Sequence, residues 1–353
     1  MKKVTVIIAC YNASLWVKDA FLSIKDQTMP LGDIECIFID DASDDNGATW
    51  QVLLEIEKEA PESVMVIHLD ENMRQGGARN IAMQYMTGKY MLFLDADDLY
   101  RPETCQELYE LAEKHNTDII HFQHEIVWRS MGDKSIPNRE QDDEGIFCNM
   151  DEQPDIRKKF LTGQIGDFGC TNKFYRADFI REVGSSFAEH LVYEEPKFVF
   201  PLFLKIKRYM VIETRYYIYR KHMESTMNSE LGIRLLDHPK SQLQLMEFVM
   251  EDKKMYEQFK EEIDYHFAFS FLYETLIFSV RNKGVLPFEY FEKMSEIFNL
   301  LVPDILSNKY VNNSEYVRMA VEGSKKRFEN QQELYDFAYE VANCYFKVSN
   351  ESV

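Results

Sequence analysis

Asp95 and Asp97 stand one residue apart, directly after the apolar run Tyr90-Met91-Leu92-Phe93-Leu94. Two carboxylates so spaced in a turn beyond a buried strand can both face one ion. Hard oxygen donors suit magnesium or manganese, which bridge onward to phosphate oxygens. The blander reading is that Asp97 or Asp98 caps a helix beginning near Pro102. Glycine-built phosphate cradles are missing: Ala9-Cys10-Tyr11-Asn12-Ala13-Ser14 stands where G-x-G-x-x-G would follow the first apolar run, and no G-x-x-x-x-G-K-[ST] occurs. A diphosphate bound here needs positive charge from another source, and a carboxylate-held divalent cation is one.

The elements that must position these acids alternate in type. Val4 to Ala9 is a continuous β-branched run, as in a strand buried on both faces. Asn12 or Ser14 can cap the next helix, in which Val17, Ala20, Phe21 and Ile24 recur at helical spacing. Pro30 and Gly32 break the chain, and Ile34 to Ile39 reads as a second strand ending at Asp40-Asp41. A helix over 49–59, a strand over Val64–Ile67, a helix opened by Gly76-Gly77 and a strand over Tyr90–Leu94 follow. Strand–helix repetition predicts an α/β fold with a Rossmann-type, mostly parallel sheet flanked by helices. Ligands of such sheets bind beyond the carboxyl ends of the strands, where Tyr11-Asn12, Asp40-Asp41 and Asp95-Ala96-Asp97 are expected.

Composition narrows the function classes. The 353 residues carry a net charge of −20 with no strongly basic stretch, which argues against nucleic acid as a partner. Cysteines at 10, 36, 105, 148, 170 and 344 form no C-x-x-C pair and no zinc-like spacing. No secretory leader and no run of 18 apolar residues is present, so a reduced, cytoplasmic setting is the expectation.

Eight short segments in fixed order resemble the large family 2 of inverting nucleotide-sugar glycosyltransferases, of the kind that builds bacterial surface glycans. They are Val6-Ile7-Ile8-Ala9-Cys10-Tyr11-Asn12, Ser23 to Thr28, Ile39 to Asp45, Asn72 to Asn80, Phe93 to Asp98, Asn172 to Arg176, Tyr193-Glu194-Glu195, and Tyr219-Arg220-Lys221-His222 followed by Ser225-Thr226. They resemble the family's V-I-I-P-x-Y-N, S-x-x-x-Q-T, D-D-G-S-x-D, N-x-G-x-x-x-A-R-N, F-L-D-S-D-D, N-K-L-y-R, Y-E-D and Y-R-x-H-x-x-S. The resemblance covers about residues 1–230 and implies a GT-A-like fold. Three departures stand out. Ala9 replaces Pro; Ala42 replaces Gly, so positive φ is not expected there; and Glu195 replaces the Asp of Y-E-D.

The resemblance implies roles. Asp97, with Asp95, would hold Mn2+ or Mg2+ against the departing nucleoside diphosphate, and His222 could complete the metal or contact the diphosphate. Glu195 is the expected base toward the acceptor hydroxyl, with Glu194 in reserve. Tyr11 would line the base, Asp41 would bond the uracil or ribose, and Asn12, Arg79 and Asp95 would complete the nucleotide site. Arg79 has the alternative of being a surface helix arginine. Asp40 is expected to be structural, and Arg220 either reaches a phosphate or braces the site.

Residues 129–155 are polar and read as a loop across the site, either a lid or a surface excursion. From His238-Pro239 onward the periodicity is helical, and Phe267 to Phe278 is apolar nearly all round. The expected division is therefore a glycosyltransferase domain over 1–230, with a nucleotide-sugar half over about 1–128 and an acceptor half over about 156–230, then an α-helical extension over 231–353. That extension reads either as a packed helical domain or dimer surface, or as an acceptor or membrane-docking module at the inner face of the plasma membrane. The expected activity is metal-dependent, inverting transfer from a nucleotide sugar, foremost a UDP-sugar, to a glycan or lipid-linked acceptor. A second reading is a catalytically inactive nucleotide- or glycan-binding protein, kept open by Glu195.

Overall fold

A computed structural model describes residues 2–128, 145–221, 232–281 and 286–351. The chain divides into two compact units that interleave in sequence. The first takes Met1–Ile156, Phe168–His190 and Pro201–Asn228; the second takes Arg157–Asp167, Leu191–Phe200 and Ser229–Val353.

The first unit is an α/β layer. In chain order its elements are β1 (Val4–Cys10), α1 (Val17–Lys25), β2 (Ile34–Asp40), α2 (Ala48–Glu59), β3 (Val64–His68), α3 (Arg74–Tyr85), β4 (Tyr90–Phe93), β5 (Leu99–Tyr100), α4 (Thr104–His115), β6 (Ile119–Trp128) and β7 (Ile146–Asn149). After α5 (Pro154–Leu161) come β8 (Lys173–Arg176), α6 (Ala177–Val183), α7 (Glu195–Lys205) and β9 (Arg208–Lys221), with α5 from Arg157 onward and α7 up to Phe200 counted in the second unit. The sheet runs β3-β2-β1-β4-β8-β6-β9-β5, with β7 also on β9. Its amino-terminal half is parallel; β8, β5 and β7 join antiparallel. Fully buried Val6, Ile8, Cys36, Phe38 and Leu92 pack with Val17, Phe21 and Ile24 of α1. The sheet thus sets the strand ends by burial on both faces, as the unbroken apolar runs require.

Two local expectations change. Asn12 and Ser14 do not cap α1, which starts after Trp16 without a side-chain cap. Of the polar segment 129–155, residues 129–144 lie outside the described residues, while Ile146–Asn149 is a strand paired with Arg208–Val211 rather than loop.

The second unit is helical: α8 (Asp237–Glu251), α9 (Lys253–Gln258), α10 (Lys260–Phe267), a π-helix over Ala268–Glu274, α11 (Thr275–Arg281), α12 (Phe288–Leu301), α13 (Lys309–Asn312), α14 (Glu315–Gly323) and α15 (Gln331–Glu351). No helix among the described residues is long and apolar enough to cross a membrane. His266 is buried and stacked on Phe200 at 4.3 Å. Burial lowers its imidazole from the usual 6.5 to about 4; Glu274 pulls the other way and His238 adds to the lowering. The unfolded chain therefore binds a proton near pH 6.5 that the folded chain refuses until about pH 4. Stability from this residue is complete above the unfolded pKa and falls by about 3 kcal/mol as the pH drops to the folded one. His266→Phe keeps the stacked ring and should flatten that acid slope, measured by urea denaturation between pH 7 and pH 4.

Candidate active site

The order β2-β1-β4 makes β1 the point where the strand sequence reverses, and the carboxyl ends of these three strands lie side by side. The Asp41 N–H donates to the Cys10 carbonyl at 2.8 Å and the Leu94 N–H to the Ile7 carbonyl at 3.0 Å. Open α/β sheets bind ligands at such a switch point. Tyr11-Asn12, Asp40-Asp41 and Asp95-Ala96-Asp97 are thereby brought to one edge, as expected from sequence.

The Asp95–Asp98 turn is held by side chains of α3 and β9. Asp95 Oδ1 accepts from Arg79 Nη2 at 2.7 Å and from Gln75 Nε2 at 2.6 Å. The Arg79 guanidinium sits over the rings of Phe93 and Phe187, 5.6 and 5.3 Å from their centres. Arg79 is 2% exposed, so it is no surface arginine. Asp98 is fully buried; Oδ2 accepts from the Tyr217 hydroxyl at 2.6 Å and Oδ1 from the Arg220 N–H at 2.7 Å. Burial, together with the charges of Asp97 and Asp95, holds the Asp98 carboxyl well above the usual carboxylate range. α4 starts after Glu103 without a side-chain cap, so neither Asp97 nor Asp98 serves that purpose.

Arg220 braces this turn. Its Nε donates to the Asp97 carbonyl, its Nη1 reaches Asp19 at 3.2 Å, and its guanidinium lies 5.1 Å from the Trp16 ring centre. Sequence reasoning missed Gln75, Asp19, Trp16 and Tyr217. For Tyr217 the only signal was its place on the strand that runs into Tyr219-Arg220.

The other edge of the site is a loop network. Asn12 Nδ2 donates to Asp44 at 2.6 Å, and the Asp44 N–H returns to Asn12 Oδ1 at 3.0 Å. Asp44 is held below its ordinary value by these bonds to Asn12 and by the Tyr11 hydroxyl. Tyr11 remains 46% exposed. Asp41 accepts from the Met73 N–H at 2.7 Å, and burial raises it above 3.8 against that bond and the Arg74 charge. Asp40 is structural, accepting from His68 at 2.9 Å and the Ser43 N–H at 3.2 Å.

Ala42 does not avoid the left-handed region: its φ is +53°. The turn from β2 requires that backbone whichever residue fills it, and alanine takes the steric cost that glycine escapes. Ala42→Gly should therefore stabilise the protein by about 1 kcal/mol, read as a higher melting temperature with unchanged nucleotide binding. Arg74, where the family pattern has Gly, is likewise at φ +62°.

The donor set can be tested against a metal. Among the described residues no cluster of three or more His, Cys, Asp or Glu is placed to hold an ion. Asp95 and Asp97 offer two carboxylates on one turn, both partly exposed. That set suits Mg2+ or Mn2+, which take remaining ligands from substrate phosphates and water. Bound there, the ion would neutralise charge on a leaving diphosphate. His222 lies outside the described residues. Glu194 and Glu195 belong to the second unit, where Glu194 is buried and Glu195, partly exposed, opens α7.

Known proteins place the chain. The family model described as Glycosyl transferase family 2 matches residues 5–184, just over half of it. Poly(ribitol-phosphate) beta-N-acetylglucosaminyltransferase TarP of Staphylococcus aureus strain N315 is 34% identical over 121 residues, 34% of this chain and 36% of that protein. Poly(ribitol-phosphate) beta-glucosyltransferase of Bacillus spizizenii is 26% identical over 219 residues, 62% of this chain and 32% of that protein. The match thus spans about a third of the length of these two relatives. The crystal structure of S. aureus TarS 1–349 in complex with UDP-GlcNAc superposes with a TM-score of 0.58 at 19% identity, covering 92% of this chain and 91% of that one. That likeness fixes the architecture as a GT-A-like sheet followed by a helical region. With more than half its length matched, this chain belongs to glycosyl transferase family 2.

Proposed function

We propose that the chain transfers a sugar, with inversion, from a UDP-sugar to a hydroxyl of a growing surface polymer or its lipid-linked precursor, with Mn2+ or Mg2+ at Asp97 and Asp95. The observation that carries this reading is the Asp95-Ala96-Asp97 turn at the switch point, with Asp95 fixed by buried Arg79. A carboxylate pair so placed can hold the cation that a leaving nucleoside diphosphate needs, in a chain without a glycine cradle. Two relatives named for transfer to poly(ribitol-phosphate) support a polymeric, hydroxyl-rich acceptor. A solved structure of the same fold with UDP-GlcNAc supports a UDP-linked donor.

Within this reading Tyr11 faces the uracil and Asp41 the ribose, while Asn12 shapes the loop through Asp44. Arg79 acts through Asp95. Glu195 takes the acceptor proton, because it is the more exposed of the adjacent pair. The test is UDP release from a panel of UDP-sugars with poly(ribitol phosphate) and other polyol acceptors. The reading expects turnover that EDTA stops and Mn2+ restores, with a β-linked product from an α-linked donor in the proton NMR spectrum. Turnover of GDP- or CMP-linked sugars alone, or retention of configuration, would contradict it.

A further inference from the structure

The residue before the two candidate base carboxylates has an unusual backbone. Tyr193 adopts φ +66°. For a bulky side chain the left-handed region costs on the order of 1–2 kcal/mol, and such strain persists only where the surroundings over-determine it. Here the surroundings are the helical unit. Ser241 of α8, itself fully buried, donates its hydroxyl to the Tyr193 carbonyl at 2.7 Å. The Tyr193 ring stacks on Phe278 of α11 at 5.3 Å and 17°, and meets the His238 ring edge-on at 5.2 Å and 84°.

His238 is itself fixed, being 3% exposed. Its Nδ1 lies 3.0 Å from Thr275 Oγ1 and its Nε2 lies 3.5 Å from Glu274 Oε2. Glu274 is the last residue of the π-helix, a rare element that recurs at functional sites. Two helices, α8 and α11, therefore meet one tyrosine directly, and the π-helix supports that contact through Glu274 beside His238. A tyrosine that only filled space would need neither a left-handed backbone nor a buried hydroxyl dedicated to its carbonyl.

We propose that Ser241, His238 and Phe278 are positioning residues: they clamp Tyr193 in its strained turn and so fix the direction in which Glu194 and Glu195 leave it. This gives the carboxyl-terminal helices a part in the reaction, as the frame of the base. The inference rests on the assignment of Glu195 as base. Its chemistry is ordinary. Proton transfer depends on sub-ångström placement, and a carboxylate displaced by about 1 Å loses around a hundredfold in rate.

The test uses Ser241→Ala, which deletes the hydroxyl, and Ser241→Thr, which keeps it. Two readings are taken on the full chain. Hydrogen exchange of the peptide 191–200 reports the clamp without any assumption about the donor. UDP release from UDP-GlcNAc gives kcat and KM. The expected result is exchange at least about tenfold faster in Ser241→Ala, kcat lowered roughly 10- to 100-fold with KM unchanged, and both restored in Ser241→Thr. Phe278→Leu gives a second variant should Ser241→Ala lower the melting temperature. Unchanged exchange in both variants overturns the clamp. Full kcat in Ser241→Ala, with kcat abolished in Glu195→Gln, also overturns it and leaves the base assignment standing. Full kcat in Glu195→Gln overturns both.

Discussion

Asp97→Ala is expected to abolish metal-dependent nucleotide binding and to lower turnover by about 100- to 1000-fold, while leaving the fold intact. The separation of effects follows from the contacts. Arg220 holds this turn through the Asp97 carbonyl and through Asp98, and Asp97→Ala retains both contacts. Alanine keeps that carbonyl, and the Asp97 side chain is only partly buried. The melting temperature should therefore shift by no more than a degree or two. Asp98 differs. It is fully buried and bonded to Tyr217 and Arg220, so its replacement would be a stability variant. Metal titration followed by calorimetry, beside a thermal melt of the same preparation, separates the two kinds of loss.

Glu195→Gln is expected to lower kcat by about 100- to 10,000-fold, with donor affinity unchanged. Glutamine keeps the size of the side chain and removes its basicity, so a purely structural role would survive the change. Glu194→Gln should cost less, because Glu194 is buried while Glu195 is partly exposed at the first turn of α7. A larger loss in Glu194→Gln would move the base by one residue and remove the significance of the Glu-for-Asp departure.

The first four strands and the helices between them were legible because their signals are local. Val4–Cys10 and Ile34–Asp40 are buried over nearly every residue, which an unbroken apolar run announces. The acids at the strand ends were legible for the same reason, since strand ends follow from strand bounds. β9 was not. Its 14 residues pair with β5, β6 and β7, partners distant in sequence. Long-range pairing leaves no spacing to read, so β7 looked like loop, the bracing role of Tyr217 stayed hidden, and the choice between the two readings of Arg220 stayed open. Backbone conformation was equally opaque. Ala42, Arg74 and Tyr193 all sit at positive φ with side chains that argue against it. The π-helix was hidden too, because the bonding offset of Ala268–Glu274 has no residue signature.

The central claim is that the Asp95–Asp97 turn holds a divalent cation which in turn holds a nucleoside diphosphate. Calorimetric titration of UDP, with Mn2+ and with EDTA, into the unmodified chain and into Asp97→Ala tests it most directly. The account predicts binding that requires the metal and is lost in the variant. UDP binding of equal strength with EDTA, or preserved in Asp97→Ala, would contradict it.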